Sequence, residues 1–457
     1  MSSNQPQRAL RRLLILVLAL ALVGAACGNS DDDDGDTAAG PTTTAGESGG
    51  KKVTLTGVPG VTDDEIAFAA FGTNSNNPLG TCVLDCYVDG IEAYFAYRNS
   101  EGGVHGRDLV LSKVLDDELT KNQVRALEIT SADDVFGAFS ATQFASGWGD
   151  IANAGIPLYV WNIHPAEMQG KPTIFGEVGT ICITCTQRVV AYISQMAKAK
   201  SAGVLGYGIS ENSKLSAKGV ADSLELYSGE IGGTKVAYFN DDLAFGLPNG
   251  IGPEVTAMKN ARVDIIFASI DLNGMKSLAQ ELERQGMGDV PMWHPNTYDQ
   301  EFVKNAGELF EGDYVGVAFR PFEAASGGSA LDTFKKWIEE TDGKVTEIAM
   351  RGWINAATAA KGLEEAGPNF DRQKVIDATN QLTAWTAGGL TGPLDYSRQH
   401  EAPTQDDPTT HGSKYECTAI LQVQDGQFEV VGERAKPWTC WSNESRDWAQ
   451  PESMNFE

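Results

Sequence analysis

The sequence predicts an α/β protein with two lobes, each built on a doubly wound, mainly parallel sheet. Between residues 64 and 320, short apolar runs alternate with helical patterns. This alternation is typical of parallel sheets covered by helices. About four hundred residues follow the N-terminal segment, which is too many for one small core. The number of predicted strands is sufficient for two sheets.

The candidate strands are rich in β-branched and aromatic residues and mostly lack polar alternation, as buried parallel strands do. They cover residues 65–71, 109–115, 135–139, 157–161, 203–209, 235–239, 263–270 and 314–318. Later in the chain, the pattern predicts helices over 331–340, 349–365 and 371–382. Asp425-Gly426 between the apolar runs 417–423 and 428–431 predicts a β-hairpin.

The N-terminus has the pattern of a secretory signal peptide, predicted over residues 1–26. Arg8, Arg11 and Arg12 precede an apolar run, residues 13–23, of about half the length that a membrane-spanning helix needs. The run ends at Gly24-Ala25-Ala26-Cys27, which resembles the lipobox of bacterial lipoproteins. That resemblance implies an acylated Cys27 that anchors the protein to the outer face of the cell membrane. The alternative is an ordinary secretion signal.

Residues 27–52 are predicted to be a lipidated acidic and polar tether. They contain almost no large apolar side chains, so they cannot bury enough surface to offset the entropy lost on ordering. The contiguous run Asp31 to Asp34 lacks the alternating ligands of a calcium site. We therefore interpret it as a solvated spacer.

The formal net charge of −27 argues against a nucleic-acid partner. Beyond the signal, no apolar stretch is long enough to span a bilayer. The composition thus favours an exported globular protein outside the membrane, which we expect to be a monomer.

Six cysteines remain besides Cys27, and an even number in a secreted chain predicts disulfides. Their clustering favours three local pairs, Cys82–Cys86, Cys182–Cys185 and Cys417–Cys440. The Cys-x-x-Cys pair at 182 and 185 could alternatively be a redox centre, although no other thioredoxin signature is present. No histidine lies at zinc-ligand spacing, so no metal and no cofactor is predicted.

Several motifs in a fixed order are similar to a known family. They are Asn99, Gly102-Gly103-Val104-His105-Gly106-Arg107, Asp116-Asp117, Ser140-Ala141-Thr142, Gly155-Ile156-Pro157 and Gly392-Pro393-Leu394. Together they resemble the type I periplasmic-binding-protein family, in particular its branched-chain amino-acid-binding branch. The resemblance implies two Rossmann-like lobes joined by three crossovers and an ABC permease as partner. Lobe 1 is predicted to comprise 53–177 plus 322–390, and lobe 2 to comprise 178–321 plus 391–450.

Ligands of open α/β sheets bind beyond the carboxyl ends of the strands, so the loops there supply the candidate residues. They are Thr73, Asn74, Ser140, Thr142, Trp161 and Asn162 in lobe 1, and Asp271, Asn273, Asn296 and Tyr298 in lobe 2. In the family, the loop containing Ser140 and Thr142 offers hydroxyls and amides to a carboxylate. We therefore expect the acidic group of the ligand near these two residues.

Each candidate also has a purely structural interpretation. Ser140 and Thr142 could cap the next helix, and Asp271 could be the N-cap of the helix that follows it. Trp161 and Trp293 could be core packing. The family's amino-acid binders hold the ligand ammonium with an acidic residue in the second lobe. Here only Asp271 or Asp299 could substitute, unless the ligand lacks an ammonium group.

The predicted function is that of an extracytoplasmic solute-binding lipoprotein that delivers a small polar solute, an amino acid or an amide-like compound, to an ABC importer. One alternative is a surface sensor that feeds a membrane signalling partner, since the fold alone does not decide function. An enzyme is not predicted, because no nucleophile elbow, P-loop or metalloprotease motif is present.

Replacing Cys27 with serine should release the protein into the medium or block its processing, because the acylated thiol would be lost. Membrane fractionation and the size of the mature chain measure this. A variant that stays membrane-bound at its mature size would contradict the predicted anchor.

Overall fold

A computed structural model describes residues 53–78, 80–178, 182–294, 298–326, 329–404 and 414–457. All of them belong to one compact unit, Lys51–Glu457. The predicted signal peptide, Cys27, the tether and Asn296 lie outside the described residues. No helix in the described ranges is long and apolar enough to cross a membrane.

The first sheet is entirely parallel, with the order β2-β1-β3-β4-β5. Its interior strand β1 is almost wholly apolar and is buried on both faces, as parallel strands are. The strands are β1 Glu65–Gly72, β2 Asp108–Asp116, β3 Gly137–Ala141, β4 Leu158–Val160 and β5 Ile174–Gly176. The accompanying helices are α1 Leu84–Ser100, α2 Asn122–Ala132, α3 Trp148–Asn153 and α4 Pro165–Met168.

The second sheet has the order β14-β13-β11-β10-β9-β8-β6-β7, and β12 pairs with β11. It is parallel from β7 to β10 and antiparallel beyond. Its strands are β6 Ser201–Tyr207, β7 Lys235–Leu243, β8 Ile265–Ser269, β9 Met292–His294, β10 Tyr314–Val317, β11 Tyr415–Gln424, β12 Gln427–Val430, β13 Trp438–Ser442 and β14 Glu452–Met454. Its helices are α5 Arg188–Met196, α6 Glu211–Tyr227, α7 Gly252–Asn260, α8 Leu272–Arg284, α9 Gln300–Ala306 and a 3₁₀ turn, Gly307–Phe310.

Three helices separate β10 from β11 in the chain: α10 Ala330–Glu340, α11 Glu347–Ala366 and α12 Arg372–Thr379. Helix α11 packs closely on α1 of the first sheet, since a Cβ added at Gly90 would collide with the Ala349 carbonyl and one at Gly352 with the Tyr87 carbonyl. The chain therefore passes between the sheets three times: after β5, after β10 and before β11. This confirms the predicted two-lobed α/β fold with three crossovers.

The third crossover lies differently from its predicted position. Residues from 391 onwards were assigned to lobe 2, but Leu394 and Tyr396 are buried in the core of the first sheet. The Tyr396 hydroxyl also donates to the carbonyl of Gly176, 3.2 Å away. The aromatic side chain and this hydrogen bond hold the segment beside β5. The rest of the predicted division stays a prediction.

Most predicted elements occur, and the hairpin at Asp425-Gly426 is confirmed, with both residues at positive φ. Several boundaries were wrong, and β7 extends to Leu243 rather than ending at residue 239. Strand β3 begins two residues later than predicted and includes Ser140, whereas β6 ends at Tyr207 and leaves Ile209 81% exposed. Helix α12 ends at Thr379 rather than at residue 382. Strands β5, β13 and β14 were not predicted.

All three predicted disulfides are present, Cys82–Cys86, Cys182–Cys185 and Cys417–Cys440. Cys417 and Cys440 lie directly opposite each other on the antiparallel strands β11 and β13. The bond therefore links strands that are already in register.

Replacing Cys417 and Cys440 together with serine should lower the free energy of unfolding by about 3 kcal/mol, because this disulfide closes the longest of the three loops. The matched control replaces Cys82 and Cys86, whose shorter loop predicts a loss of about 2 kcal/mol in the same chain-entropy model. Urea denaturation measures both. A larger loss in the control would refute the loop-length argument.

Candidate ligand-binding cleft

The carboxyl-end loops of the two sheets meet each other. Asn212, in the first turn of α6, donates through Nδ2 to the carbonyl oxygen of Ile163 after β4, at 3.0 Å. Gly80, between β1 and α1, lies against the side chain of Asn273 at the start of α8. Because these loops extend the carboxyl ends of parallel strands, the surfaces they enclose form the ligand-binding position of open α/β sheets.

The three small hydroxyl residues predicted in lobe 1 are brought together and are fully buried. Thr73 Oγ1 accepts the backbone N–H of Gln143 at 3.1 Å. Ser140 Oγ accepts the indole N–H of Trp148 at 2.9 Å. Thr142 donates its hydroxyl hydrogen to Asp117 at 2.6 Å. All three hydroxyls are thus already hydrogen-bonded to internal groups.

Asp117 is the residue that organises this side of the cleft, and the sequence patterns did not single it out as a site residue. It is fully buried and accepts hydrogen bonds from the side chain of Asn122 at 3.2 Å and the backbone of Leu119 at 2.8 Å. Together with the bond from Thr142, these contacts join the end of β2 to the end of β3. Only the Asp116-Asp117 pair in the family motif hinted at this role.

The neighbouring Asp116 holds the loop after β1. Its carboxylate accepts the backbone N–H groups of Asn74 at 3.0 Å and of Glu118 at 2.9 Å. Burial opposes ionisation, but hydrogen bonds from Ser75, Glu118 and Asn74 outweigh it and lower the pKa of Asp116. The predicted site residue Asn74 is exposed, and its side-chain amide donates to Asp85 at 3.1 Å.

The ends of β4 and β5 are joined by a buried carboxylate. Glu177 is fully buried, accepts the backbone N–H of Asn162 at 2.9 Å and pairs with Arg351 of α11 at 2.5 Å. Arg351 also pairs with Glu347 at 2.7 Å. Burial raises the pKa of Glu177, and the Arg351 guanidinium offsets part of that increase. Neither Glu177 nor Arg351 was a sequence candidate.

Two aromatic side chains follow the same strands. Trp161 is 9% exposed and packs in the core of the first sheet, consistent with its structural interpretation. His164 Nε2 lies 3.2 Å from the carbonyl oxygen of Thr142. Burial lowers the pKa of His164, so the imidazole is neutral at pH 7 and Nε2 is the donor in this contact.

In lobe 2, Asp271 is the N-cap of α8, and its side chain accepts the backbone N–H of Asn273 at 3.2 Å. It also accepts a hydrogen bond from the Tyr207 hydroxyl. Asp299 similarly caps α9, accepting the backbone N–H of Phe302 at 2.8 Å. The helix-cap interpretation of Asp271 is confirmed, and both acids considered for an ammonium group hold helix termini.

Tyr298 and Trp293 are buried in packed surroundings. Tyr298 stacks on Phe322 with ring centroids 5.2 Å apart, and its hydroxyl donates to Glu323 at 2.5 Å. Trp293 is a core residue of the second sheet, where its ring lies against Gly316. His294 pairs with the buried Asp313 at 2.8 Å. None of these contacts indicates a ligand role.

Three exposed apolar side chains at the carboxyl ends were not among the sequence candidates, which were polar apart from the aromatic residues Trp161 and Tyr298. Phe144 after β3 is 56% exposed, Ile209 after β6 is 81% exposed and Phe245 after β7 is 40% exposed. The Phe245 ring packs edge-on against Tyr207 at 5.1 Å. Exposed large apolar residues in loops that border a cleft are a signal of ligand contact.

A family model described as periplasmic binding protein matches residues 81–427. This match covers most of the chain, so the protein belongs to the periplasmic binding protein family. No curated protein matches the sequence.

Solved structures share the fold at low identity. A fatty acid ABC transporter substrate-binding protein from Thermomonospora curvata is 19% identical, with a TM-score of 0.64 over 83% of this chain and 95% of the other. The branched-chain amino acid transporter substrate-binding protein of Streptococcus pneumoniae, in complex with isoleucine, is 16% identical, with a TM-score of 0.62 over 80% and 99%. A solute-binding protein of R. palustris, in complex with benzoate, is 16% identical, with a TM-score of 0.61 over 82% and 97%.

Replacing Arg351 with methionine should destabilise the fold by about 3–5 kcal/mol, because it leaves the buried Glu177 without its counter-charge. The double variant Glu177→Gln, Arg351→Met should recover part of that loss, since no unpaired charge stays buried. Arg284→Met, at an exposed pair with Glu281, is the control and should change little. Equal losses in the single and double variants, measured by urea denaturation, would exclude a coupled pair.

Proposed function

We propose that the protein is an extracytoplasmic solute-binding lipoprotein that delivers a small organic solute to an ABC importer. The observation that carries the proposal is the contact between the carboxyl-end loops of two parallel sheets, at Asn212–Ile163 and Asn273–Gly80. Open α/β sheets bind ligands at this edge. Membership of the periplasmic binding protein family supports both the solute-binding role and the location outside the cytoplasm.

The lipid anchor is supported by the sequence Gly24-Ala25-Ala26-Cys27 and the polar segment behind it. An anchor at Cys27 would keep the two lobes at the membrane that holds the permease.

The solute is a small organic compound that contacts both lobes. Proteins with the same fold include one in complex with isoleucine, one in complex with benzoate and a fatty acid ABC transporter substrate-binding protein, so the fold accommodates zwitterionic and purely acidic ligands. Of the two solute classes predicted from the sequence, an amino acid is within this range.

A thermal-shift screen of amino acids, amides, and aliphatic and aromatic acids should identify a ligand, because a binder at a hundred times its dissociation constant stabilises a fold by about 2.7 kcal/mol. Asn273→Trp should weaken that ligand at least tenfold, because the larger side chain cannot fit against Gly80 and would hold the two loops apart. The matched control is Asn260→Trp, at the far end of α7. Cells that lack the protein should also lose uptake of the ligand.

Two results would reject the proposal. One is a screen in which no solute raises the unfolding temperature. The other is unchanged affinity in Asn273→Trp, measured by calorimetric titration, which would place the ligand outside the cleft.

A further inference from the structure

Gln143 lies at the carboxyl end of β3, the middle strand of the first sheet. It is the second residue after that strand, and its backbone N–H is fixed by Thr73 Oγ1 of the loop after β1. Its side-chain Nε2 atom is buried and has no hydrogen-bond partner among the described residues. A buried amide donor without an acceptor is unfavourable. An acceptor supplied by a bound solute would satisfy it.

The acids near the cleft that could bind a solute's ammonium group are already engaged. Asp271 caps α8 and accepts the Tyr207 hydroxyl, whereas Asp117 accepts from Thr142 and Asn122. Glu177 is neutralised by Arg351. An ammonium group desolvated in this cleft would therefore have to share a carboxylate with these donors, and burial of a poorly paired charge is costly.

Apolar surface is available on both lobes. Phe144, the residue after Gln143, is 56% exposed, and Ile209 of the second lobe is 81% exposed. Ile209 lies three positions before Asn212, whose amide reaches the first lobe at Ile163. Ile209 therefore belongs to a loop that meets the first lobe, and Phe144 lies at the carboxyl end of the neighbouring strand β3. A bound apolar body at this edge would cover both side chains.

We infer that the cleft selects a carbonyl or carboxylate compound with a branched or aromatic apolar body and no ammonium group, and that the Gln143 side-chain amide donates to its oxygen. The inference rests on the proposed function and specifies its solute class. Gln143 is the specificity-determining donor, whereas Phe144 and Ile209 contact the apolar body.

Calorimetric titration with three compounds of one skeleton tests the solute class. Leucine and 4-methylpentanoate differ only in the α-ammonium group, and 4-methylpentanamide replaces the carboxylate with an uncharged amide. The acid or the amide should bind at least tenfold more tightly than leucine. If leucine binds as tightly or more tightly, the inferred class is wrong, but the proposed function stands.

Variants of Gln143 test the donor, with the tightest of these compounds as probe. Gln143→Ala should weaken binding about tenfold. Gln143→Glu, which keeps the shape but replaces the amide with a carboxylate, should weaken 4-methylpentanoate more than 4-methylpentanamide. Gln169→Ala, at an exposed position after α4, is the control and should bind normally. Unchanged affinity in both Gln143 variants, with normal unfolding temperatures, would overturn the assignment.

The thermal-shift screen separates failure of the inferred solute class from failure of the proposed function. If none of the three compounds binds and the screen returns an ammonium-bearing solute, the inferred class is wrong while the proposed function survives. If the screen returns an acid or amide with an apolar body, the Gln143 variants are titrated with that compound. If it returns no solute at all, the proposed function itself fails.

Discussion

The arrangement of the cleft depends on one buried ion pair, Glu177 with Arg351. Glu177 stands where the chain leaves β5 for the first crossover, and Arg351 lies on α11, which the chain enters after the second. The same carboxylate accepts the backbone N–H of Asn162 and so fixes the end of β4. A charge buried this deeply requires a partner. That requirement ties strand ends and a distant helix into one unit.

Hydrogen bonds between uncharged groups extend this unit around the first sheet. Asn355 of α11 donates to the Tyr87 hydroxyl at 2.6 Å and to the Val160 carbonyl at 2.9 Å. Gln399 of the third crossover donates to the Gly176 carbonyl at 3.0 Å. Helix α1, strands β4 and β5 and the third crossover are therefore linked through polar groups, which fix their geometry more strictly than apolar contacts could.

The same need for internal partners explains why the loops at the strand ends were easier to predict from the sequence than the contacts of their side chains. Loops after buried strands are recognisable because runs such as β1 and β8 are apolar throughout. Asp271 was recognisable as a cap because capping is local in sequence. By contrast, the partner of Thr142 lies 25 positions away and that of Glu177 lies 174 positions away. Such pairings arise from tertiary packing, which residue type does not reveal.

Two further errors of prediction also concern features that residue type does not reveal. Strand β14 is mostly exposed at the sheet edge, so it has no apolar run to identify it. Tyr396 lies in the range that was assigned to the second lobe, yet its ring is buried beside Phe175, at a centroid distance of 5.9 Å. Which lobe a crossover packs on is decided by a few side chains, and their contacts span hundreds of positions in the chain.

The contacts across the cleft are small compared with those within each lobe. This difference determines how much free energy opening and closing of the cleft require. The hydrogen bond from Asn212 to the Ile163 carbonyl contributes about 1 kcal/mol net, because opening exchanges it for a bond to water. That amount shifts a two-state equilibrium only about fivefold. The lobes themselves are held by buried networks and close-packed helices, so separating them is far easier than unfolding either one. A solute that contacts both lobes must therefore supply most of the free energy of closure, through its differential affinity for the closed state.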